Sequence, residues 1–326
     1  MIARECNLLL GALVLTLIQA GCDSGTLPTE TGMAWTRRDS PGEEMSGVAC
    51  SDRDIVAVGW GVMTSPDGLS WIPSQVPTDW RLKRITWSGS LFVAVGGTVP
   101  LPGRPIIATS PDGRTWTERT APAFAVDVAW SGDRFVAVAG RTILTSRDGL
   151  TWNAEAVQVD GRLRGITWGP SQFVAVGYVP STAGGSYSDR AVILASPDGV
   201  TWSERISPGS GLRDVVWSGE RFVAVGKTIL TSQDGTTWNP QSAPVDGFDF
   251  ADIAWSGSQF AAVGRVQTAG LVITSPDGVT WTRSPAPSRG VEPSAVAWCL
   301  DRFVAVGALR RGWFADYTTD LILTSP

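Results

Sequence analysis

The 326-residue chain contains no histidine. That absence removes histidine-dependent nucleophilic triads, histidine general bases and histidine-rich zinc sites from consideration. Cysteine is scarce: Cys6, Cys22, Cys50 and Cys299 are the four present, and no two have CxxC spacing. There is no run of Lys or Arg. The formal net charge is −5 with a pI near 4.9, so the electrostatic footprint of a nucleic-acid binder is missing. No apolar stretch beyond residue 22 is long enough to span a bilayer, and no helical period of useful length follows it. No cofactor or resident metal is expected.

Gly, Pro and Trp are plentiful, at 37, 21 and 16 residues. The first 21 residues read as an export signal. Arg4 lies in a short leading region, residues 7–18 are apolar, and small residues follow. Ile18-Gln-Ala-Gly-Cys22 resembles a bacterial lipobox, which would make Cys22 a lipidated N-terminus after cleavage. Gln19 departs from the Leu usual three residues before that Cys, and plain signal cleavage is the alternative. The expected organisation is a signal peptide (1–21), a tether linker (22–31) and one folded unit (32–326). Its expected location is the bacterial cell envelope, touching the membrane through the lipid alone.

Seven segments match one template. Its clearest part is Ile55-Val-Ala-Val-Gly59, repeated from Phe92, Phe135, Phe173, Phe222, Phe260 and Phe303 at spacings of 37 to 49 residues. A short apolar run precedes each copy and ends in Trp in six of them. A β-branched run follows, then a tight turn and Thr/Ser-Trp. We name these strands A, B, C and D. Val, Ile, Phe, Thr and Trp favour strands, and the period fits four-stranded propeller blades. The predicted fold is therefore all-β: a seven-bladed β-propeller with four-stranded antiparallel blades. Ser65-Pro-Asp-Gly68 predicts a type I turn closed by a left-handed Gly.

These hairpins resemble the Asp-box (BNR) repeat of sialidase-type propellers and many exported bacterial proteins, over residues 32–326. The spacing here, as in Ser110-Pro-Asp-Gly-Arg-Thr-Trp116, is one residue shorter. The resemblance implies a propeller without implying any single activity, and assembly factors are among its members. In that family the box is a structural turn, so Asp67, Asp112, Asp148, Asp198, Asp234 and Asp277 are expected to cap turns. A sialidase arginine triad in Arg84, Arg164 and Arg213 is not supported. The Arg-Ile-Pro motif is absent and no Tyr–Glu nucleophile pair can be assigned.

The last repeat stops at Leu321-Ile-Leu-Thr-Ser-Pro326 without a D strand, while Thr31-Gly-Met-Ala-Trp35 aligns with an isolated D segment. The two are expected to share the seventh blade and so close the ring without exposed edges. Thirteen tryptophans occupy template positions, six ending strand A and seven at strand D, and are expected to pack between blades. In blade 1, Cys50 replaces the strand-A Trp, and Cys299 follows Trp298 in neighbouring blade 7. The pair is either bridged across the closure or two small buried thiols. Thiols are favoured because equivalent positions on adjacent inner strands are widely spaced.

Alternating strand direction puts the uniform A–B and C–D turns on one face and the variable B–C and D–A loops on the other. Variable loops on a rigid scaffold are where binding resides. Trp60, Trp80, Arg310, Arg311, Trp313, Phe314 and Tyr317 form the candidate aromatic platform, from blades 7, 1 and 2. Arg84, Asp127, Arg213, Asp214 and Asp252 mark the start of strand A at the channel mouth as a second candidate. No catalytic residue is assigned. The expected function is a monomeric, lipid-anchored module binding a protein or glycan on the variable face. A tether of at most ~30 Å over residues 23–31 would turn the plain face toward the membrane. The rivals are a glycan-active hydrolase or lyase using the channel-mouth charges, and an envelope assembly factor.

Overall fold

In the computed structural model the chain forms seven four-stranded antiparallel sheets, and no helix occurs among the described residues. The structure describes residues 33–40, 44–157, 159–180, 190–285, 290–310 and 318–325. Blade 2 is representative: strands A to D are Trp80–Trp87, Phe92–Thr98, Pro105–Ser110 and Thr117–Thr120. The B and C strands are fully buried and β-branched because each is covered on both faces by neighbouring blades. D strands are short and exposed, and polar except for Ile72–Pro73 in blade 1. Phe92, Phe135, Phe173, Phe222, Phe260 and Phe303 are each fully buried and anchor successive blades between neighbours.

Thr36–Arg38 pairs with the C strand of blade 7, Thr36 opposite Thr324 and Arg38 opposite Ile322. The seventh sheet is thus assembled from both ends of the described chain, as the two partial repeats predicted. Trp35 packs within 6.3 Å of Phe303. Its indole N–H has no partner among the described residues, whereas the other strand-D tryptophans donate to a turn glycine, as Trp238 Nε1 does to the Gly235 carbonyl at 3.2 Å. Gly32, which holds the matching position before Trp35, lies outside the described residues.

The six complete C–D turns share the aspartate bonds, and five of them the serine–glycine bond. In blade 4, Ser196 Oγ accepts from the Gly199 N–H at 2.8 Å, and Asp198 Oδ1 accepts from the N–H groups of Val200 and Thr201 at 2.9 and 2.7 Å. The Thr201 N–H pulls the Asp198 carboxyl down to about 2, against a burial that works the other way. Gly199 sits at φ +73° and its absent side chain makes room for Val136 of blade 3. These aspartates are turn caps.

One expectation needs refinement. The strand-A tryptophans are half-buried rather than enclosed. Each stacks on its cross-strand Phe, as Trp130 does on Phe135 with ring centroids 4.2 Å apart. The five strand-D indoles Trp35, Trp71, Trp152, Trp238 and Trp281 are the buried ones.

Candidate functional site

Three residues before the strand-A Trp, or Cys50, every blade contributes one residue to a ring around the axis. Its members are Gly47, Arg84, Asp127, Gly165, Asp214, Asp252 and Ala295. In six blades a β-bulge immediately precedes this position, and such bulges re-aim backbone and side chains. The aspartates bind the next blade along the ring. Asp127 Oδ2 accepts from the Ile166 N–H at 2.7 Å, Asp214 Oδ2 from Ile253 at 3.0 Å and Asp252 Oδ2 from Val296 at 2.6 Å. At Gly47 and Gly165 the next strand comes too close for a side chain: a Cβ would lie 2.8 Å from the Lys83 carbonyl or 2.6 Å from the Asp214 Cα.

Arg84 crosses the axis from blade 2. Its guanidinium donates to the bulge carbonyls of Ser46, Ala251 and Ser294 and of its own neighbour Lys83, and lies 3.5 Å from Asp252 Oδ1. The bulges turn carbonyls inward, and one fork of donors collects them. Burial opposes the Arg84 charge, but the carboxyls of Asp252, Asp127 and Asp214 outweigh it and hold the group above its ordinary range. Burial pushes Asp127 up to about 7 despite Arg84. Asp214 is raised well above the usual carboxyl range, first by burial and then by the neighbouring Asp252 carboxyl. The channel is closed at this level by a polar plug whose groups are committed to one another and to backbone.

Of the channel-mouth residues singled out from sequence, Arg84, Asp127, Asp214 and Asp252 therefore come together. Arg213 does not join them. It pairs bidentately with Asp249 at 2.7 and 2.8 Å, and Arg265 approaches the same carboxylate at 3.6 Å. The aromatic platform is altered. Trp80 is 2% exposed, packed between blades 1 and 2 beside Val56, Val58 and Leu82, so it offers no surface to a ligand. Trp60 stays on the variable face beneath the Arg81 guanidinium. Arg311, Trp313, Phe314, Tyr317 and Cys22 lie outside the described residues, as does the Arg310 side chain.

Cys50 and Cys299 are joined in a disulfide with Cα atoms 5.7 Å apart, which corrects the favoured reading of free thiols. The cysteines are not at equivalent positions: Cys50 pairs with Ile55, whereas Cys299 lies one residue beyond Trp298, the partner of Phe303. A one-residue step reverses the side chain, so Trp298 faces blade 6 and Cys299 faces Cys50.

A cleft of about 740 Å³, not among the sites singled out from sequence, lies on the variable face between blades 3 and 4. Its floor is an isolated antiparallel bridge between Gly140 and Leu163, with Leu163 N–H donating to Gly140 O at 2.9 Å. Arg141, Arg162 and Arg164 line it, with Phe124, Val126, Val179 and Pro180 as apolar walls. Arg162 and Arg164 flank buried Leu163, and the bulge at Arg164 re-aims its side chain, so that both line the cleft. The Arg-Leu-Arg run, matching Arg81-Leu-Lys83 in blade 2, was the available signal. Lys83 holds the matching bulge position in blade 2. Desolvation pushes its ammonium down, and neighbouring Arg81, Arg84 and Arg164 push the same way, against Glu44.

These features define a seven-bladed β-propeller with a sealed axis and a charged variable face. No protein-family model matches the chain, and no curated protein matches it. Among solved structures, virginiamycin B lyase from Staphylococcus aureus aligns at a TM-score of 0.70 with 10% identity, covering 90% of this chain and 99% of that one. A streptogramin B lyase aligns at 0.69 with 11% identity over 90% and 98%. The WD40 propeller domain of Doa1 aligns at 0.64 with 9% identity over 90% and 97%. At these identities the likeness is one of fold.

Proposed function

We propose that this chain is an exported, lipid-anchored propeller of Asp-box type that acts as a non-catalytic binding or scaffold module for a protein or glycan through its variable face. The observation that carries this reading is the contrast between axis and mouth. On the axis, Arg84 and the three aspartates are consumed by backbone and by each other. Asp252 also faces Arg84 at 3.5 Å, and all three carboxyls are buried, unlike the spaced carboxylates that glycosidases present to a cleft. At the mouth, arginines and aromatic rings stand on rigid strand ends, the composition that carries binding energy at interfaces.

The test is cross-linked capture from envelope extract with wild type, a variable-face pair (Trp60→Ala, Trp313→Ala) and a plain-face pair (Leu150→Asp, Val200→Asp). Loss of the captured set with the variable-face pair alone is expected. Loss with the plain-face pair alone overturns the reading. Cys22→Ser should move the protein from the detergent phase to the aqueous phase in a detergent partition; unchanged partitioning overturns the anchor.

A further inference from the structure

We infer that the cleft between blades 3 and 4 binds a compact organic carboxylate carrying an apolar ring face, with Arg162 and Arg164 on the carboxylate and Phe124 against the ring. This rests on the variable face being the binding face and names the chemistry of its ligand.

The first argument is charge. Elsewhere many arginines are paired, as Arg104 is with Glu118, Arg114 with Asp54, Arg190 with Glu204, and Arg213 and Arg265 with Asp249, although exposed Arg37 and Arg147 have no ion pair among the described residues. In the cleft three guanidiniums face a single carboxylate, Asp160, and none is within ion-pair distance of it or any other described carboxylate. The Arg162 guanidinium makes no hydrogen bond among the described residues. Arg164 donates through Nη2 to Tyr178 Oη at 2.8 Å, while its buried Nε has no partner. An acidic protein that concentrates unpaired cations at one point leaves a positive potential there, and guanidinium forks match carboxylates bidentately.

The second argument is shape. Phe124 is 47% exposed, yet its ring is seated: a Cβ on Gly97 of blade 2 would fall 2.6 Å from it. An exposed aromatic face held by a glycine beside paired arginines suits a ligand with one flat apolar side and one anionic end. The cleft volume lies in the range of small-ligand sites, and protein interfaces are broader and flatter. The Gly140–Leu163 bridge and the Arg141 Nε bond to the Gly161 carbonyl at 3.3 Å fix the floor, so little ordering is required on binding.

Two sources share this chemistry, a sugar acid and an aromatic acid. Calorimetric titration of the full chain with tri-galacturonate and with 2-naphthoate separates them, with maltotriose and 2-naphthamide as uncharged counterparts and hexaglutamate as an acidic peptide. We expect one carboxylate to bind and its neutral counterpart not to. Arg162→Gln, exposed and unpaired, should weaken binding by about tenfold through loss of a charge-assisted contact. Arg190→Gln, paired on the outer edge, should leave it unchanged. Absence of binding by both carboxylates at about 10 mM, or equal binding by Arg162→Gln, overturns the inference. Binding of hexaglutamate alone overturns it too, while leaving the variable face as a protein-binding surface.

Discussion

Replacing Arg84 by Met tests the sealed axis most directly. The substitution keeps a long side chain and removes the donors. It strands the carbonyls of Ser46, Ala251 and Ser294 and leaves Asp252 without its cation. Removing one partner of a buried pair costs roughly 3–5 kcal/mol because the remaining charge stays buried. A domain of this size unfolds with an entropy of about 0.6 kcal/mol/K, so the melting temperature should fall by about 5–8 °C. The pH dependence sharpens the test. Without the guanidinium the ring carboxyls hold protons more tightly in the folded state, so the folded variant binds more protons than folded wild type. By linkage its stability must fall more steeply with rising pH, and the gap to wild type must widen from pH 5 to pH 8. Melts by circular dichroism at both values suffice. A drop under about 1 °C, or a gap that narrows with pH, refutes the plug.

Other parts of the fold make separate predictions. Wild-type stability should decline as pH rises from about 4 toward 7, because burial raises Asp127 and Asp214 above their unfolded values. Asp127→Asn, which keeps an acceptor for Ile166, should flatten that decline, and an unchanged slope by melting against pH would exclude it. The Asp198 turn works in the opposite sense, contributing stability above about pH 4 that is lost as pH falls toward 2. Trp238→Ala should cost ~3–5 kcal/mol by leaving a cavity beside Phe222; a near-zero shift in denaturant midpoint would contradict it. Removing residues 33–38 should destabilise the blade containing Thr324, read as faster amide exchange at Leu321 to Leu323. Replacing both Cys50 and Cys299 by Ala should cost ~2–5 kcal/mol, and unreduced denatured protein should show no free thiol from this pair.

The blades were legible in the sequence because a propeller repeats its physics. Each copy carries the same β-branched B strand, the same Ser-x-Asp-Gly turn and the same Trp, so seven weak signals reinforce one another. The closure was legible for the same reason: Trp35 and Leu321-Ile-Leu323 are recognisable halves of a known unit. Strand-D tryptophans were less exact, since Trp occupies the turn and the strand begins one residue later, at Thr117 after Trp116. Trp80 looked like a loop aromatic because it precedes the template run. In fact strand A of blade 2 starts at Trp80, and extension of a strand beyond its repeat unit leaves no mark in the repeat.

The site was less readable because its geometry depends on backbone direction. Sequence placed Arg84, Asp127, Asp214 and Asp252 at one level, and alignment alone predicts that ring. What it could not supply was the bulge in front of them, which turns the Ser46, Ala251 and Ser294 carbonyls inward and makes a guanidinium the natural filler. The same parity argument governs the disulfide. Template alignment puts Cys50 opposite Trp298 and suggests a long separation, but strand alternation aims Cys299 at Cys50. It also explains why the cleft was missed. Arg162 and Arg164 read as solvent-facing neighbours of a core Leu, and only the Gly140–Leu163 bridge brings Arg141 to meet them. In a repeat scaffold, positions obeying the template reveal the fold. Function is better sought where blades 2 and 4 place cations that blades 5 to 7 either lack or neutralise.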